Sequence, residues 1–225
     1  MGPGWGNRVA DAITVERAGV SIAGQPLLSP VTFSLAHGRA LAVVGANGSG
    51  KTTLLRLLAG TVRASTGTVR LAGEAPDDRK PAFRARVATL VGMPALARNL
   101  TLREYLVLVG ASWGTEVDEA GKQAETLLDE LGIARLAHRF PHELSSGQTQ
   151  LYVIALTLAR PSTILLVDEP EQRLDPDRLV LVADALVARK ARGTTIVVAS
   201  HAGSLVERVA DEVLTLAEED AGAVG

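Results

Sequence analysis

At 225 residues the chain is long enough for one domain, or for one domain carrying a small inserted lobe, with a core of useful size. Hydrophobic residues make up 47% and charged residues 21%, the balance of a soluble globular protein. A net charge of −2 lacks the Lys/Arg excess that neutralising a nucleic-acid backbone requires, so no nucleic-acid partner is expected. The absence of cysteine removes disulfide scaffolds, thiolate zinc sites and thiol nucleophiles.

In chain order, residues 1–12 form a Gly-rich arm with no apolar stretch of signal-peptide type. Gly6 stands where N-myristoylation needs Ser or Thr. Segments 13–24 and 31–35 carry the β-branched, partly alternating pattern of strands. The apolar run Ala40 to Val44 predicts a buried strand that opens into a Gly-rich loop and then a helix through LLRLLAG. Thr68 to Leu71 is a short strand closing at Gly73, residues 74–82 read as an exposed loop, and Val87 to Val91 is another strand. Helical spacing then dominates, with helices over Leu100 to Val109 and Glu116 to Leu131 and a stop at Gly132. Strand and helix alternate again in Ile164–Val167, Leu179–Arg189, Thr194–Ala199, Ser204–Val209 and Glu212–Leu216. The organisation is therefore an α/β core over 13–94 and 159–216, a helical lobe over 95–158, and a tail over 217–225. No run approaches the roughly 20 apolar residues that span a bilayer, so the chain is expected in the cytosol unless a partner carries it to a membrane.

Two motifs carry chemistry. Gly45, Ala46, Asn47, Gly48, Ser49, Gly50, Lys51 and Thr52 fit G-x-x-x-x-G-K-S/T in a strand–loop–helix setting, with Thr53 next in line. Glycines let the loop curl its N–H groups toward phosphate oxygens, and the following helix presents its positive end to the same anion. Lys51 adds charge at the β- and γ-phosphates, and the Thr52 hydroxyl is a ligand for Mg²⁺. Alone, this motif specifies a nucleoside triphosphate and leaves kinase, GTPase and motor chemistry open. The second motif is an apolar strand ending in Asp168 and Glu169 before Pro170. Adjacent strand residues point to opposite faces, so one acid can hold Mg²⁺ while the other addresses water. Asp168 takes the metal role and Glu169 the general-base or water-polarising role.

Between these motifs lies Leu144–Ser145–Ser146–Gly147–Gln148 at a helix start. This segment resembles the LSGGQ signature of ATP-binding cassettes, with Ser146 in place of the first Gly. With it the chain resembles, over roughly residues 13–216, the ATP-binding subunit of ABC transporters. The resemblance implies a P-loop NTPase core with N-terminal antiparallel strands and an inserted helical lobe. It implies ATP and Mg²⁺ as cofactors and hydrolysis of ATP to power a separate integral membrane permease, from the cytoplasmic face. It further implies that Ser145, Ser146, Gly147 and Gln148 close on ATP held by a second ATP-binding subunit, expected to be a copy of this chain. Arg173–Leu174–Asp175 matches the D-loop, with Asp175 at the nucleotide interface, and His201 matches the switch histidine that contacts the γ-phosphate. His37, His138 and His142 lack metal-ligand spacing.

The match departs from the family in places. Ala95 replaces the glutamine usual after Met93–Pro94, removing a Mg²⁺ or water ligand, with Asn99 as a substitute if the loop bends. Ile22 stands where an aromatic residue stacks on adenine, unless Trp5 folds back. Glu171–Gln172–Arg173 is more charged than usual. A permease coupling helix is expected to seat near Leu96, Leu100 and Leu102, with Phe83, Tyr105 and Trp113 either there or in the lobe core. The short stretch after the last core strand leans the expectation toward a compact exporter. The alternatives are a nucleotide-gated regulatory cassette with weak hydrolysis, or a soluble ABC-type ATPase outside transport.

Overall fold

The computed structural model describes residues 11–217. Trp5 and most of the N-terminal arm, and the tail from 218 onward, lie outside the described residues. Two sheets form the core. β1 (Ile13–Ile22), β2 (Gln25–Leu35) and β4 (Thr66–Leu71) make a three-stranded antiparallel sheet in the order β2-β1-β4. β3 (Ala40–Val44), β5 (Val87–Leu90), β6 (Ile164–Asp168), β7 (Thr195–Ala199) and β8 (Glu212–Thr215) make a parallel sheet in the order β5-β6-β7-β3-β8.

The parallel strands read as unbroken apolar runs because both of their faces are buried. Alternate residues serve two separate cores. Leu41, Val43, Ile164, Leu166, Val197 and Ala199 face the antiparallel sheet and helix α1 (Lys51–Leu58). Ala40, Ala42, Leu165, Val167, Ile196 and Val198 face the remaining helices. Those are α3 (Leu102–Ser112), α4 (Val117–Glu130) and α5 (Ser146–Leu158) of the lobe, with α6 (Pro176–Ala191) and α7 (Gly203–Val209). Tyr152 on α5 is fully buried and donates its hydroxyl to Leu102 O at 3.2 Å, tying two lobe helices together. Burial pushes the Tyr152 pKa up, so the phenol keeps that proton.

Three local expectations change. The segment read as a loop through residue 82 runs into a six-residue helix α2 (Pro81–Arg86). Pro81 at its first turn is pre-set for helix, and buried Phe83 anchors it to the core beneath the antiparallel sheet rather than to the lobe. Leu102 is not surface: it opens α3 and is fully buried, while Met93 and Leu108 are the exposed apolar side chains of that region. Trp113 is partly buried and stacks beneath the Arg160 guanidinium, 4.5 Å from its ring centre.

Candidate nucleotide site

The parallel register sets Val43, Ala199 and Asp168 level at the carboxyl ends of β3, β7 and β6. Open α/β sheets bind ligands at this edge. The loop after β3 is shaped by close approach. A Cβ on Gly45 would stand 2.6 Å from Leu216 O and 2.7 Å from Ser49 Oγ, and one on Gly50 would stand 2.8 Å from Leu27 O. Gly50, with φ of 93°, is the cap of α1, and no side chain satisfies that helix start. Its free N–H groups are therefore available to an anion. Lys51 is buried and donates from Nζ to Gly45 O and Ala46 O, both at 2.8 Å.

A cleft of about 290 Å³ is lined by Pro26, Leu27, Asn47, Gly48, Gly50, Lys51, Thr52, Thr53 and Glu169. Asp168 joins it through a hydrogen bond with Thr52, and His201 through Glu169. Desolvation raises the Asp168 pKa, opposed by the Thr52 hydroxyl, and the Glu169 charge raises it further. Its Oδ1 is buried without a hydrogen-bond partner. A hydroxyl and an orphaned carboxylate oxygen are hard donors of the type Mg²⁺ takes, with phosphate and water completing the shell. Among the described residues no three His, Asp or Glu side chains gather as a metal site by themselves. Roomier clefts, about 420 Å³ beside Arg160 and Arg189 and about 630 Å³ beside Val62 and Arg79, have no phosphate loop in their walls.

Glu169 departs from strand geometry with φ of 44° while its N–H donates to Ala199 O at 2.8 Å. A non-glycine residue held there carries strain of order 1–3 kcal/mol, a frequent mark of functional positions. Its carboxylate is gripped on both oxygens: His201 Nε2 lies 3.4 Å from Oε1, and Gln172 Nε2 makes a very short contact with Oε2. Glu171, which the sequence offered only as surplus charge, accepts from Ser200 Oγ at 2.8 Å and from His201 N at 2.6 Å.

The structure does not bring Ser145, Ser146, Gly147 and Gln148 to this cleft within the chain. Ser145 caps α5, with Gln148 Oε1 accepting from Ser145 N at 3.0 Å in a reciprocal capping box. Ser145 and Ser146 are exposed, and Gly147 is buried against Arg173 O. Gln150, missed in the sequence, donates to Pro170 O at 3.2 Å and joins this helix to the segment after Glu169. Asp175 caps α6 by accepting from Arg178 N at 2.9 Å. Pro26 and Leu27 line the cleft, whereas Ile22 is 60% exposed and does not; Ala95 and Asn99 are exposed in their loop and outside it too.

Comparison with known proteins agrees with this geometry. The family model described as ABC transporter matches residues 28–172, well over half the chain. A putative ABC transporter ATP-binding protein of Streptomyces coelicolor is 36% identical over 203 residues, 87% of this chain and 70% of that protein. The solved ATP-binding subunit of an ABC transporter superposes with a TM-score of 0.81 at 27% identity, over 91% of this chain and 85% of the other. A dimeric ATP-binding cassette in a post-hydrolysis state, bound to ADP and Pi, shares the fold with a TM-score of 0.80 at 22% identity, over 92% and 96% of the two chains. Phosphate loop, signature helix, acidic strand end and the histidine after β7 thus occur in one chain, in one order, on one shared fold: it belongs to the ABC transporter family, as an ATP-binding subunit.

Proposed function

We propose that this subunit hydrolyses ATP in a Mg²⁺-dependent reaction and so energises a separate integral membrane permease, working as a head-to-tail homodimer at the cytoplasmic face of the membrane. The observation that carries this reading is the convergence of Lys51, Thr52, Asp168, Glu169 and His201 at one edge of the parallel sheet. The pairing supplies what one chain lacks. The LSSGQ helix start, with two exposed serines, lies outside its own cleft and would close on a partner's nucleotide. Among the described residues no helix is long and apolar enough to cross a membrane, which fits a permease as a separate chain.

In the reaction, loop amides and Lys51 hold the β- and γ-phosphates, exchanging the lysine's two loop carbonyls for phosphate oxygens. Thr52 and Asp168 would hold Mg²⁺, which neutralises phosphate charge as the transition state forms. Glu169 takes a proton from the attacking water while the water oxygen bonds to the γ-phosphorus and the bond from that phosphorus to the β–γ bridging oxygen breaks. ADP and phosphate result. His201, 3.4 Å from Glu169, would contact the γ-phosphate and orient that water.

One observation favours a weakly hydrolysing, nucleotide-gated cassette instead: the Gln172 amide already occupies an oxygen of Glu169. Turnover of purified protein decides between them, assayed with Mg²⁺, with chelator, and as Glu169→Gln. Metal-dependent hydrolysis that falls on the order of 10²-fold in Glu169→Gln, with ATP binding retained, is the expected result. Nucleotide binding without Glu169-dependent turnover, even beside the permease, would establish the gated cassette.

A further inference from the structure

We propose that Glu171 is the positioning residue of the switch histidine, and that the turn carrying Glu171 and Gln172 is the jig that sets the Glu169–His201 pair. This inference rests on the hydrolytic reading above. The turn leaves β6 directly, with Gln172 N donating to Glu169 O at 3.2 Å and Leu174 N to Glu171 O at 3.1 Å. Its two consecutive side chains reach in different directions. Gln172 holds one oxygen of Glu169. Glu171 reaches across to the loop after β7, where a single oxygen, Oε1, receives both the His201 N–H at 2.6 Å and the Ser200 hydroxyl at 2.8 Å. The same Ser200 Oγ accepts from Ala202 N at 3.0 Å. One carboxylate oxygen thereby gathers residues 200–202.

The anchorage is stiff. Ser200 is fully buried, and its N–H donates to Val43 O at 3.2 Å, so the loop is pinned to β3 on one side and to Glu171 on the other. Among the described residues His201 has no other backbone tether of this kind, yet its imidazole must stand where Nε2 meets Glu169 Oε1 at 3.4 Å. Charge-assisted N–H bonds to carboxylates are the strong class of hydrogen bond, and 2.6 Å is at the short end of it. The second oxygen, Oε2, is buried without a partner. A carboxylate kept half-satisfied in this way costs stability, so its presence calls for a task. Holding the backbone from which the imidazole projects is that task. Displacements of about 1 Å at a reacting group cost on the order of 10²-fold in rate.

The test uses the full chain with Glu171→Gln, which keeps an acceptor oxygen at the same reach, and Glu171→Met, which keeps the length and removes the acceptor. Expected in Glu171→Met is a fall of at least about tenfold in kcat for ATP with KM unchanged, in a protein that is still folded at the assay temperature but melts a few degrees lower because two donors lose their acceptor. Glu171→Gln is expected to stay within about threefold of the parent. Independently of turnover, the His201 amide proton, assigned with His201→Ala, lies downfield in the ¹H–¹⁵N spectrum of the parent and of Glu171→Gln. It moves upfield in Glu171→Met. A parent that binds ATP without hydrolysing it would defeat the hydrolytic reading, while the amide shift would still decide the role of Glu171. Equal losses in the two variants, an effect on KM or melting alone, or an unmoved His201 amide would overturn the proposal.

Discussion

Replacing Gly147 by alanine tests how tightly the signature helix is fitted to the rest of the chain. An added Cβ would stand 2.8 Å from Arg173 O and 2.9 Å from Arg178 Nη1. The guanidinium is the end of a flexible, partly exposed side chain and can move aside at small cost. The carbonyl cannot, because Arg173 is itself held with φ of 64°, where a non-glycine residue has little room to adjust. Reaching ordinary contact near 3.4 Å requires a shift of roughly 0.6 Å in backbone. Overpacking of this kind costs about 1–3 kcal/mol, only partly offset by the better helix propensity of alanine. For a chain of this length each kcal/mol moves Tm by roughly 2–4 °C, so a fall of several degrees is expected. Gly121→Ala is the internal control. Gly121 lies inside α4, and its added Cβ meets only the Arg103 Nη2 tip at 3.0 Å. There the gain of about 0.5–1 kcal/mol in helix stability dominates and Tm rises. Calorimetric melts of the three proteins read both signs at once. A Gly147→Ala protein as stable as its parent would show that Arg173 O yields freely and that the close fit is not a constraint.

Further expectations are simpler. Lys51→Ala should weaken ATP binding on the order of 10²-fold in a fluorescent-nucleotide titration, because a positioned cation is removed from a water-poor loop; affinity within about twofold of the parent would contradict the site. Tyr152→Phe removes the side-chain donor to Leu102 O and should cost about 0.5–1.5 kcal/mol in denaturant unfolding. Asp211 joins β8 to β3. Burial acts to raise its pKa, but the Ala40 N–H at 2.8 Å, Lys190 at 3.2 Å and Arg39 outweigh burial and hold it below the ordinary carboxylate value. A depressed folded-state pKa means stability that is present above about pH 4 and lost as pH falls through the folded value. Asp211→Ala should therefore be less stable than its parent at pH 7, and the gap should close toward pH 3; a gap independent of pH would refute the assignment.

The parallel strands were legible because burial on both faces leaves a plain apolar run, as in Ala40–Val44 and Ile164–Val167. The phosphate loop was legible because its glycines answer to backbone geometry, here Leu216 O against Gly45 and Leu27 O against Gly50. Helix α2 was not, since six residues hung on one buried phenylalanine carry no period. Leu102 misled because a helix start looks polar from its neighbours until Tyr152 is seen closing over it. Glu171 and Gln150 were invisible for a different reason: each acts on a backbone group at least 20 positions away, and nothing local marks a surface-type residue that reaches inward. Ile22 failed by geometry of the sheet edge, since the chain turns after it and presents Pro26 and Leu27 to the cleft instead.

The contact of Gly50 with Leu27 and Leu28, within 2.8–3.3 Å once a Cβ is imagined there, fastens the triphosphate loop to the second strand of the antiparallel sheet. The Pro26–Leu27 wall of the cleft and the phosphate loop are thus joined in one casting, like the fixed jaw of a caliper. The travel that the proposed cycle demands falls to the other jaw, the three-helix lobe, which the chain enters from β5 and leaves into β6 and which packs on the parallel sheet through α5.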